Sequence, residues 1–75
     1  MNSEHLIRMA NQIGVFFESM PDRTEALEGM ASHLKKFWDP RMRRQFLQLV
    51  DAPATEPPIS DMVRDAVRAH RGLLA

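Results

Sequence analysis

Cysteine is absent from this 75-residue sequence, so no disulfide can staple the fold, and a structural zinc site would have to rest on three dispersed histidines. Aromatic residues are few, four Phe and one Trp. Net charge is absent too: ten basic residues offset ten acidic ones, which removes any general attraction to nucleic acid or membrane. No run approaches the roughly 20 apolar residues that a membrane span needs. The opening MNSEHLIRMANQ lacks a basic region followed by a long apolar stretch. Together with the missing cysteine this gives an expectation of a cytoplasmic location. A chain this short buries only about 60% of its extended surface on folding, so its core is marginal. With 44% hydrophobic residues but so few aromatics, burial against another chain is the expected remedy.

What is present is helical periodicity. Ser3 reads as the N-cap of a first helix, with Leu6, Met9, Ala10, Ile13, Phe16, Phe17 and Met20 on one face and Pro21 as its stop. Gly14 lies inside that stripe, which suggests close approach of another helix. Asp22 followed by Glu25 resembles a capping box. The helix behind it presents Ala26, Leu27, Met30, Ala31, Leu34 and Phe37, with Gly29 as a second small site. A short turn between the two helices makes an αα-hairpin. Asp39-Pro40 is a boundary, with Asp39 as the N-cap of a third helix, because proline disfavours helical geometry in the residue before it and is welcome at the first helical position. Met42, Gln45, Phe46, Leu49 and Val50 then share one face. The expected architecture is all-α: a small bundle with main helices at about 3–20, 23–38 and 40–51, forming a helical core over 1–51. A Pro-rich, extended linker at 52–59 and a short, weakly packed C-terminal helix at 60–72, capped by Ser60 and ending near Gly72, complete it.

No constellation supports a reaction. His5, His33 and His70 fall on three different helices, and none has a second ligand one turn away. Glu25 and Glu28 read as first-turn acids complementing a helix dipole. The serines have no histidine and acid around them, and no glycine-rich phosphate loop exists. The most specific feature is a basic, aromatic corner, where Lys35, Lys36, Arg41, Arg43 and Arg44 crowd one helix junction beside Phe37 and Trp38. Three arginines at the start of a helix oppose its dipole at a few tenths of a kcal/mol each, so something should compensate. Their guanidinium groups could recognise carboxylates on a partner, or a phosphate-bearing cofactor held by one. Alternatively Asp39, Glu28 and Glu25 neutralise them as solvated pairs. Phe37 and Trp38, adjacent on a helix, point about 100° apart. Phe37 continues the buried stripe, which leaves Trp38 either as an anchor in another protein's pocket or folded over onto the third helix.

Three runs, LIRMANQIGVFF at 6–17, MPDRTEALEGMASHL at 20–34 and KFWDPRMRR at 36–44, resemble the small delta subunit of cytoplasmic NAD-dependent formate dehydrogenases, the molybdenum- or tungsten-containing multisubunit kind. The resemblance is tight over about half of the chain and looser beyond Arg44. It implies an accessory subunit without an active site, bound to the large catalytic subunit and supporting assembly, cofactor loading or stability. The complex would carry bis-molybdopterin guanine dinucleotide, iron–sulfur clusters, flavin and NAD on its other subunits. The expected partner-binding residues are Phe37, Trp38, Arg41, Arg43 and Arg44, with no catalytic and no metal-binding residue. The competing readings are a small nucleic-acid binder, which zero net charge disfavours, and a self-associating bundle.

Overall fold

In the computed structural model, which describes residues 2–75, each of four helices starts at a side-chain cap. Asn2, one residue ahead of the expected Ser3, accepts from the His5 N–H at 3.2 Å and opens α1 (Ser3–Glu18). Asp22 accepts from the Glu25 N–H at 3.1 Å at the head of α2 (Arg23–Phe37). Asp39 accepts from the Met42 N–H at 2.9 Å ahead of α3 (Pro40–Asp51), whose first residue is the proline. Ser60 accepts from the Val63 N–H at 3.4 Å and opens α4 (Asp61–Leu74). Each such cap satisfies an otherwise orphaned backbone donor and is worth about 1 kcal/mol.

The core closes within the chain. Leu6, Ile7 and Ala10 of α1, Met30 and Leu34 of α2, Phe46 and Leu47 of α3, and Met62, Val63 and Val67 of α4 are all buried, and no polar or charged residue among those described is buried with them. Every helix therefore contributes to one interior. The chain folds back between α1 and α2 as an αα-hairpin, yet the principal neighbour of α2 is α4, which also lies on α1; α3 packs on α1 and α4.

The C-terminal helix departs most from expectation. Its length is close to that expected, 14 residues running to Leu74, past Gly72 and through a kink at His70, but it is far from weakly packed: Met62, Val63, Ala66, Val67 and Leu74 are all buried. The reason is fit rather than area. The missing side chain of Gly14 on α1 lets α4 settle against it, since an added Cβ would lie 3.1 Å from a Val63 methyl and 3.6 Å from Met62 Cγ. Gly14 does mark a close approach, and the approaching helix is α4. Gly29 receives the edge of Phe17 instead, whose Cε1 would lie 2.8 Å from a Cβ there.

The linker is likewise fastened. Ile59 is buried, and the Asn11 side chain clamps the segment from both sides, donating to the Pro58 carbonyl and accepting from the Ser60 N–H, each at 3.0 Å. Thr55 Oγ1 donates to the Pro57 carbonyl at 2.9 Å, and the Glu56–Pro57 peptide is cis.

Ion pairs join α4 to its neighbours. Arg23 meets Asp65 at 2.8 Å, and Arg71 forks onto Asp51 at 2.9 and 2.6 Å. The hydrogen bonds from Arg71 hold the Asp51 carboxyl below its ordinary value of 3.8. A carboxyl with a lowered folded pKa stabilises the fold above the unfolded value and loses that contribution as pH falls through the folded one. Melting wild type and Asp51→Asn side by side should show wild type the more stable at neutral pH, with the gap closing below about pH 4. A gap that persists unchanged into acid would show that the pair contributes nothing.

Candidate partner-docking surface

The site begins where α2 stops. Phe37 is its last helical residue, and Trp38 leaves the helix with extended backbone, φ −96° and ψ 131°. The 100° step per residue holds only while the helix continues. Freed from it, the Trp38 indole turns inward, 4% exposed, and meets the Phe46 ring edge-on at 5.5 Å and 84°. Phe37 is left 71% exposed. Of the two places open to Trp38 the structure takes the second, folded over the helix end onto the third helix, while Phe37, expected to continue the buried stripe, is instead the aromatic available outside. The larger ring has more apolar area to gain from the interior.

Arg43 is also drawn in. Its guanidinium donates from one nitrogen to the Lys35 carbonyl at 2.9 Å and the Trp38 carbonyl at 3.0 Å, while its Nε is buried without a partner. Those carbonyls lie at the end of α2, where acceptors are unsatisfied and the dipole favours a cation. Arg43 thus fastens α2 to α3, and the compensation sought for a cation early in α3 comes from the end of α2. Its part in the corner is to shape it.

Arg41 and Arg44 are exposed, as are Lys35 and Lys36, and none of the four makes an ion pair among the described residues. The expected neutralising acid Asp39 is engaged instead as the α3 cap. Elsewhere the cations are occupied: Arg8 with Glu4, Arg23 and Arg68 with Asp65, Arg71 with Asp51, and Arg64 on the Val50 carbonyl. A chain with no net charge therefore gathers, among its described residues, four Lys and Arg side chains without an ion pair at one corner.

From that corner a row of rings runs back over α2 and α1. Phe37 meets His33 at 4.8 Å, His33 meets Phe17 at 6.0 Å, and Phe17 meets Phe16 edge-on at 5.1 Å. Phe16 is 69% exposed, although the helical stripe assigns it to the core; Phe17 and His33 are half-buried. The periodicity of α1 could not reveal this row, but α2 carries a trace of it: Gly29, His33 and Phe37 recur every fourth residue, and the glycine makes room for Phe17.

Between α3 and α4, Val50, Asp51, Arg64, Val67, Arg68 and Arg71 line a shallow pocket of about 240 Å³. Two of its three guanidinium groups are held by Asp51 and by the Val50 carbonyl, so they join α3 to α4. The described residues contain no group of three or more His, Cys, Asp or Glu that could hold a metal ion. Among the described residues no helix is long and apolar enough to cross a membrane.

Among known proteins, the chain matches a family model described as NADH-dependant formate dehydrogenase delta subunit FdsD over residues 5–67, a span that includes the linker and the first half of α4. No curated protein and no solved structure matches it.

Proposed function

Because this chain belongs to the FdsD family, the delta subunits of NADH-dependent formate dehydrogenase, we propose that it is a non-catalytic accessory subunit that binds the large catalytic subunit and supports its assembly, cofactor loading or stability. The observation that carries this reading is the corner of α2 and α3, where exposed Phe37 stands beside unpaired Lys35, Lys36, Arg41 and Arg44. Solvated cations around an exposed ring suit a carboxylate-bearing protein surface, and the forked guanidinium groups of Arg41 and Arg44 add directionality. Trp38 and Arg43 serve the same corner from beneath, the first by anchoring the junction in the core and the second by tying the end of α2.

The cofactors of the complex, bis-molybdopterin guanine dinucleotide, iron–sulfur clusters, flavin and NAD, belong on its other subunits. This chain has no cysteine to ligate a cluster and no metal-holding group among its described residues. A cytoplasmic location goes with this reading. A nucleic-acid partner is disfavoured by zero net charge and would show steep loss of affinity with salt.

Expressing the enzyme with and without the chain tests the role, and Arg41→Glu with Arg44→Glu tests the corner. Co-purification with the catalytic subunit and reduced molybdenum or tungsten content, activity or heat resistance in its absence support the proposal. An enzyme made without it that has full metal, full activity and unchanged heat resistance overturns it. The double charge reversal is expected to weaken co-purification at least about tenfold, the effect of removing two interface charges with complementary partners.

A further inference from the structure

Resting on that reading, we infer that the docking face is the whole aromatic row from Phe37 through His33 and Phe17 to Phe16, and that its occupant is an amphipathic helix of the catalytic subunit whose carboxylates meet the Phe37 end. Phe16 and Phe37 stand 69% and 71% exposed at the two ends of a continuous ring-to-ring path. The core is complete without them, so folding does not require either ring at the surface. An elongated apolar track of this kind matches a helix laying down anchors at every third or fourth residue.

Charge sets the direction. Lys35, Lys36, Arg41 and Arg44 gather at the Phe37 end, while Glu18, Glu25 and Glu28, exposed and outside any ion pair among the described residues, lie toward the turn between α1 and α2. A helix seated on the rings gains most with its acidic end at the α2–α3 corner and its basic end over those glutamates. A second copy of this chain, related by a two-fold axis, would meet the same polarity and is the rival occupant.

The test uses the intact complex, with a photo-crosslinking phenylalanine analogue placed at position 16, at position 37, or at exposed position 69 on α4 as a control. Crosslinks from 16 and 37 to one helix of the catalytic subunit, with Asp or Glu near the site reached from 37, are expected. Phe16→Ser should reduce the chain retained on the catalytic subunit at least about tenfold while leaving its circular dichroism unchanged. Crosslinks between two copies of this chain overturn the inference. So does a chain that stays in the complex while 16 and 37 are silent and 69 crosslinks efficiently. Absence of the wild-type chain from the complex overturns the accessory-subunit reading as well, so the two failures are distinguishable.

Discussion

Trp38→Ala is expected to unfold much of the isolated chain at moderate temperature, while Phe37→Ala, one residue earlier, leaves the melting temperature nearly where it was. Trp38 is 4% exposed and packs edge-on against Phe46, itself 1% exposed. Truncating a buried Trp costs about 3–5 kcal/mol, a large share of the roughly 5–15 kcal/mol that holds an ordinary domain together. For a chain of this size that corresponds to a fall of about 12 °C or more. Phe37 has most of its surface in water already, so its removal falls in the range of ordinary surface changes, about 0.5 kcal/mol either way. Binding should invert the order, with Phe37→Ala weakening the proposed attachment to the catalytic subunit in a fully folded chain. Thermal melts of the two variants decide the matter. Equal destabilisation by both, or a Trp38 variant as stable as wild type, would refute the inward placement of the indole.

Removal of residues 61–75 has the other large expected effect: a chain ending at Ser60 should lose cooperative folding altogether. Met62, Val63 and Val67 are each 1% exposed or less. Burial of side chains of this kind contributes about 1.5–3 kcal/mol apiece, so these three alone rival the net stability of a small domain. Their loss would also uncover Met30 and Leu34 of α2, whose principal neighbour is α4, and would remove the partners of Arg23 and Asp51. Far-UV circular dichroism through a thermal ramp is the measurement. A truncated chain that keeps the helicity of α1 to α3 and melts in one sharp step would show that α4 is the dispensable appendage its composition suggests.

The difference between that composition and the observed packing shows where sequence reading stops. Four caps and two prolines are local devices, and Asp22, Asp39 and Ser60 were legible because a cap needs only its own next three residues. The shift from Ser3 to Asn2 is a one-residue error of the same local kind. For α4 the apolar positions Val63, Ala66 and Val67 were equally visible, yet their importance was not, because a stripe's area says nothing about the fit of what it meets. Gly14 announced that some helix comes close and could not say which.

The corner divides in the same way. Its positive residues and its aromatic pair stand adjacent in sequence, and the run from Lys36 to Arg44 also carries the family resemblance. Which ring faces water, and which arginine is consumed in holding two helices together, depends on Trp38 leaving helical geometry and on carbonyls eight and five residues before Arg43. The row of Phe16, Phe17, His33 and Phe37 is less legible still, since it joins two helices.

By itself, then, the amino-acid order determined an all-helical chain, the starts of its helices and the family to which it belongs, because all of these reside in composition or in neighbours a turn apart. Only the tertiary structure decided that α4 completes the core, that Trp38 and Arg43 turn inward and that Phe37 stays out. Those outcomes are competitions for a limited interior among groups distant in sequence, and they are settled by which residues fit together once the helices meet.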